Sequence, residues 1–136
     1  MDAAECRRRF ASARHAYLAT SGEDRQPHLV PVVFDLSGDE IALAVDAKPK
    51  RSTDLRRLRN IAANPAVCFL VDHYTDDWPA LWWVRADARA AVVEDGPARS
   101  AALDRLQRRY EQYRMARPAG PVVLATVQRW SGWTAR

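Results

Sequence analysis

Hydrophobic positions along the chain switch between a spacing of three to four and a spacing of two, and the switches divide it into elements. Ala3, Cys6, Phe10 and Ala13 recur at helical spacing and predict a short amphipathic opening helix. "HAYLATS" (15–21) alternates as a strand does, and the polar "GEDRQP" after it reads as a turn into a second strand, "HLVPVVFDL" (28–36). Pro31 has no amide hydrogen to give a ladder, which puts that strand at an edge or a bulge. Gly38 in "SGDE" turns the chain into a third strand, "EIALAVD" (40–46).

Leu55, Leu58, Ile61 and Ala62 then share one face of a helix that Asn64 and Pro65 end, while Arg56, Arg57 and Arg59 point elsewhere. "AVCFLVDHY" (66–74) is rich enough in β-formers for a buried strand, and the loop "TDDWP" leads into a long strand or hairpin over 80–95. A helix over 96–115 follows, with Ala102, Leu106, Tyr110 and Tyr113 as its inner stripe, and the last strand covers 121–135. Strands in neighbouring runs, without regular βαβ alternation, predict a mainly β (α+β) fold: a six- to seven-stranded antiparallel sheet curled into a barrel with two to three flanking helices.

Composition narrows the class. A chain of 136 residues fits one domain with a real core but leaves little room for a large enclosed cavity, so a pocket at a subunit interface is expected. No apolar run approaches the roughly 18 residues that span a bilayer, and the first ten residues lack the apolar core of a signal peptide; a cytoplasmic protein is the expectation. Cys6 and Cys68 stand alone, without metal-binding or disulfide spacing. The net charge of +4 favours an anionic partner without choosing among a phosphorylated cofactor, an acidic substrate and nucleic acid.

That charge is uneven. "VDAKPKRSTDLRRLRN" (45–60) contains both lysines of the chain, Lys48 and Lys50, together with Arg51, Arg56, Arg57 and Arg59. Ser52 or Thr53 stands where a helix N-cap is wanted, so backbone N–H groups, a hydroxyl and nearby cations could assemble a phosphate site. A solvated basic loop before an ordinary capped helix explains the same residues. Arg56, Arg57 and Arg59 lie too far along the helix to share one phosphate with Lys48; they suit a longer acidic tail, a partner's carboxylates or solvent.

Four of the five tryptophans fall in two clusters, Trp82 with Trp83 and Trp130 with Trp133, while Trp78 sits in the "TDDWP" loop. Adjacent strand residues face opposite sides, so one of Trp82 and Trp83 enters the core and the other faces a flat ligand or a second subunit. Asp72, His73, Asp76 and Asp77 match no metal-ligand spacing. The chain has no GxSxG, HExxH, Walker-type loop or Rossmann glycine fingerprint. A basic helix with aromatics is an ingredient of nucleic-acid binding, but seventeen acidic residues are spread through the chain and leave no long basic face, so that partner is not expected.

"PHLVPVVF", the run from "VDAKPKRST" through "NIAANPAVCFLVDHYTDDW", and the terminal "RWSGW" together resemble the split β-barrel flavin and deazaflavin oxidoreductases of the pyridoxamine-phosphate-oxidase class, over roughly residues 10 to 134. Within it the chain is most similar to the branch described as F420-dependent. The resemblance implies a homodimer with a cofactor in each of two clefts between subunits. It further implies that Lys48, Lys50, Arg51, Ser52 and Thr53 hold the cofactor phosphate, and that Val45 and Asp46 lie along the ring with His28, Pro31 and Val32 as its other wall. Asp77, Trp78 and Trp133 would reach across from the partner chain, and Arg56 would meet the acidic tail of F420. Ala88 departs from the glycine of similar chains and bears on the geometry of an expected turn. Hydride transfer from reduced F420 to a conjugated, electron-poor small molecule such as an enone, quinone or tetrapyrrole is the implied activity, with an FMN-binding flavoprotein or a non-catalytic F420 carrier as alternatives.

Overall fold

The computed structural model describes residues 1–45 and 55–136. Among them are seven strands: β1 (Ala16–Ser21), β2 (Pro27–Val32), β3 (Asp35–Ser37), β4 (Glu40–Ala44), β5 (Ala66–His73), β6 (Trp82–Val93) and β7 (Val122–Thr134). The helices are α1 (Ala3–Ser12), α2 (Arg56–Ala63), α3 (Pro97–Arg109) and the five-residue α4 (Glu111–Met115). All pairings are antiparallel, in the order β2-β1-β5-β6-β7-β4-β3.

β2 and β3 therefore occupy opposite edges of the sheet, yet only Val33 and Phe34 separate them in the chain. Six flat strand spacings would place the edges about 29 Å apart. The link from Val32 to Asp35 spans at most about 11 Å. The sheet must curl until its edges meet, and it forms a barrel left open along that seam. This corrects the expectation of one continuous strand over 28–36. Its first part pairs with β1 and its last with β4, across the turn at Gly38. Pro31 does sit on an edge strand, where its missing N–H costs nothing.

The seam is pinned from outside. Phe34 buries its ring completely, and its backbone N–H donates to the Tyr110 hydroxyl at 3.1 Å. That hydroxyl donates to the Phe34 carbonyl at 2.7 Å, which also receives Arg109 Nη1 at 2.6 Å. Arg109 Nη2 reaches the Ala13 carbonyl, tying the seam to the end of α1. Burial raises the Tyr110 phenol above its usual pKa, so it holds its proton as a donor. The expected single helix over 96–115 instead breaks at Tyr110, whose backbone leaves the helical region (φ −118°, ψ 121°) as its side chain turns to Phe34.

Inside the barrel, Phe10 from α1 meets Phe34, Phe69 and Trp130 at centroid distances of 4.8, 6.4 and 5.4 Å. β4 is buried on both faces: Ile41, Leu43 and Val45 join this core, and Ala42 and Ala44 face Leu103 and Leu106 of α3. Of the two alternatives for 80–95 the structure takes the long strand, and the expected turn at Ala88 is absent. Residues 80–95 hold one strand with a short 3-10 turn (Trp78–Ala80) before it, and Ala88 lies within β6 in the core rather than at a turn. A bulge beside it leaves Gln128 of β7 unpaired, because Asp87 faces Arg129 and Ala88 faces Val127.

α2 docks on β1 through Leu58, Ile61 and a buried hydrogen bond from Asn60 Nδ2 to Thr20 Oγ1 of 3.0 Å; Ala62, expected inward, is exposed. Its N-cap position is Leu55, without a side-chain cap. The assignment of that role to Ser52 or Thr53 is thereby corrected, since the helix begins at Arg56; both residues lie outside the described ones.

Tyr110→Phe removes the acceptor for the Phe34 N–H and one of the two donors to its carbonyl, and urea unfolding should show a loss of about 1–3 kcal/mol. A Cβ at Gly22 would lie 2.5 Å from Asn60 Oδ1, a side chain with nowhere to retreat. Gly22→Ala should therefore lower the urea midpoint, with a cost of about 1–3 kcal/mol from overpacking. An unchanged midpoint in either variant would contradict these contacts.

Candidate functional site

A cleft of about 240 Å³ opens beside the seam, between the end of β2, the end of β4 and α2. Pro31, Val32 and Val33 form one wall and Ala44 the other, with Arg57 and Tyr113 at its sides. The bend at Phe34 presents the Pro31 to Val33 segment, the β4 alternation turns Ala44 outward, and the Asn60–Thr20 bond sets the rotation of α2. The break at Tyr110 carries α4, and with it Tyr113, back over the same opening.

Of the residues expected around a cofactor, Pro31 and Val32 are brought together here. Val45 is not: its side chain is 3% exposed and belongs to the core, and its neighbour Ala44 lines the cleft instead. Asp46, Lys48, Lys50, Arg51, Ser52 and Thr53 lie outside the described residues. In the chain these residues fall between Ala44 and Arg57, both of which line the cleft.

The arginines of α2 exchange the roles expected of them. Arg56 turns away and binds Asp24 at 2.9 Å and Asn60 Oδ1 at 3.3 Å. Arg57, which the sequence left open among an acidic tail, a partner's carboxylates and solvent, lines the cleft. His28 lies near the start of β2, opposite Thr20 of β1, with its Nδ1 buried and without a hydrogen-bond partner. Burial, then Arg56 and Arg57, push its imidazole below the ordinary pKa of 6.5, so it is held neutral in a positive field. His28 and Pro31 face opposite sides of β2, and so they do not form a single wall.

Asp77, Trp78 and Trp133 lie elsewhere in this chain. Trp78, 66% exposed, joins Tyr74, Leu81 and Trp133 around an open depression at the far end of β5 to β7. Asp77 is exposed beside it. Sequence reasoning missed His15, Ala44 and Tyr113 as cleft residues. Tyr113 carried a signal, since it fell on the inner stripe of a predicted helix; His15 and Ala44 carried none beyond strand alternation.

Among the described residues no helix is long and apolar enough to cross a membrane. No protein of curated function matches the chain. Several solved structures do, at full or nearly full coverage. The conserved hypothetical protein Rv2991 from Mycobacterium tuberculosis is 26% identical over 100% of this chain and 86% of its own, with a TM-score of 0.79. An FAD-binding protein from Mesorhizobium loti is 20% identical over 97% and 94%, with a TM-score of 0.76. The heme storage protein HutZ from Vibrio cholerae is 16% identical over 96% and 90%, with a TM-score of 0.72. The family model for pyridoxamine 5'-phosphate oxidase matches residues 3–134, which is nearly every element described above. The chain belongs to the pyridoxamine 5'-phosphate oxidase family.

Proposed function

We propose that the chain binds a flavin-type cofactor in the cleft beside the seam and serves as an oxidoreductase, with deazaflavin F420 preferred to FMN. The observation that carries the reading is the convergence of apolar walls (Pro31, Val32, Ala44) and the Arg57 guanidinium on one cleft, Ala44 and Arg57 being the cleft residues that bracket the lysine-containing segment in the sequence. The unpartnered Nδ1 of His28 adds a buried polar atom in the same positive field, which suits an anionic group. The FAD-binding description of one structural relative supports a flavin-type cofactor; the heme storage description of another keeps a binding role without catalysis in view.

A flavin or deazaflavin, once bound, supplies the hydride chemistry, and the acceptor is a conjugated, electron-poor small molecule. The chain's own residues then bind, orient and exclude water. Lys48, Lys50, Arg51, Ser52 and Thr53 receive the phosphate with Arg57. The preference for F420 rests on the sequence resemblance and this concentration of cations; Arg56, occupied by Asp24, adds less to it than its position suggested.

The cleft is smaller than the roughly 300–1,000 Å³ of sites that enclose a small molecule. We therefore infer a second wall from another copy of the chain, which makes the functional unit a homodimer. Leu29, 66% exposed, together with Tyr17 and Pro31 supplies apolar surface for that contact on the outer face of β1 and β2.

Fluorescence titration with F420, FMN and FAD tests the reading: F420 should bind most tightly, and tight FMN binding with no F420 binding would overturn the preference. Failure of all three would overturn the cofactor site. Oxidation of reduced F420 with a panel of enones and quinones separates an enzyme from a carrier. Arg57→Ala and Lys50→Ala should each weaken cofactor binding by about 1–3 kcal/mol through loss of a charge-assisted contact, with the urea midpoint unchanged. Unaltered affinity in both would place the phosphate elsewhere.

A further inference from the structure

His28 carries a buried ring nitrogen, Nδ1, that makes no hydrogen bond. A buried polar atom left unpaired costs stability, and a ligand that pairs with it recovers that cost. Its place on β2 says which part of a ligand arrives there. His28, Val30 and Val32 alternate onto one side of the strand, and Val32 lines the cofactor cleft. The four residues from His28 to Val32 span about 13 Å. A flat ring held between Val32 and Ala44 can therefore extend a chain of that length along β2 to His28.

The charged groups around His28 come from one helix. On α2, Arg57 lines the cleft and Arg56 is bound at 2.9 Å to Asp24, in the turn between β1 and β2. From β1, Thr20 lies opposite His28 with its hydroxyl engaged by Asn60, and the neighbours on β2, Pro27 and Leu29, carry no charge. Burial first, then the two guanidinium groups, hold the imidazole neutral. An anion set between Arg57 and His28 reverses that balance, because it offsets the guanidinium field and gives an Nδ1–H an acceptor.

We propose that His28 holds the anionic part of the cofactor beside Arg57, its Nδ1–H donating to an anionic oxygen, and that the imidazole takes up a proton as the complex forms. The proposal rests on the cofactor reading above and adds a direction to it. Affinity falls as pH rises through the range in which free His28 is neutral and bound His28 is charged.

Calorimetric titration of the full chain with F420, or with FMN where only FMN binds, tests it in Pipes and Bis-Tris buffers, whose different ionisation heats count the protons taken up. Wild-type protein should take up a fraction of a proton per cofactor at pH 7. Its affinity should fall at least about threefold from pH 6 to pH 8, within the limit of about tenfold per pH unit for one proton. His28→Gln keeps a neutral donor; it should lose the proton uptake and most of the pH dependence, and bind like wild type at pH 8. Ionisation of the cofactor itself is common to both proteins and cancels between them. Proton NMR of the wild type reads the same event without a variant: of the signals from the three histidines, one should move its titration to higher pH when cofactor is added. Cofactor binding without proton uptake, uptake that survives His28→Gln, or no moving histidine signal would each overturn this proposal alone. No binding of F420, FMN or FAD overturns the cofactor reading and this one with it.

Discussion

Two residues, Val33 and Phe34, join strands on opposite edges of a seven-stranded sheet, and that short tether governs the rest of the molecule. Strand spacing and chain reach together leave no flat solution. Curling brings a cost, because a bent link exposes backbone polar groups that no ladder satisfies. The Tyr110 hydroxyl and the Arg109 guanidinium meet that demand at Phe34, and they give up the continuity of a helix to do so. The same bend leaves Pro31 and Val33 exposed on either side of the buried Val32, so the cleft is a by-product of closing the barrel.

Electrostatics at that cleft follow from how α2 is rotated. Successive helical residues differ by about 100°. The Asn60–Thr20 hydrogen bond fixes which one faces the opening, and it selects Arg57 over Arg56. Arg56 is then neutralised by Asp24, as Arg7 is by Asp39, Arg105 by Asp35 and Glu40, and Arg117 by Asp104. These four arginines are each held by carboxylates, while Arg57 lines the cleft.

The sequence carried the elements further than their connections. Alternation and helical spacing located nearly every strand and helix, and the neighbouring runs of strands pointed to an antiparallel barrel. The bend at Phe34 was invisible because the apolar pattern of "HLVPVVFDL" runs through it without a break in period. The helix break at Tyr110 was hidden likewise: Tyr113 keeps helical phase with Leu106 and Tyr110, and the interaction that breaks the helix lies 76 positions away at Phe34. The exchange of Arg56 and Arg57 depends on a single buried hydrogen bond that no local pattern encodes. The family resemblance supplied the cofactor expectation, and geometry alone distributed its residues between two separate openings.

The bulge at Gln128 shows how one unpaired residue can create a surface. Before it, Val123, Ala125 and Val127 of β7 point into the barrel; with unbroken alternation residues 129, 131 and 133 would follow them inward. The extra residue reverses the phase. Trp130 turns in against Phe10, and Trp133 turns out to stand beside Trp83. Without that reversal Trp130 would face outward and Trp133 inward, and Trp83 would stand beside the backbone of Gly132. The register also keeps Pro31, Tyr17, Leu70 and Arg85 in one outward row across four strands. A slip of one residue would bury Arg85 without a partner, and the cost of that charge in the core helps hold the ladder in place.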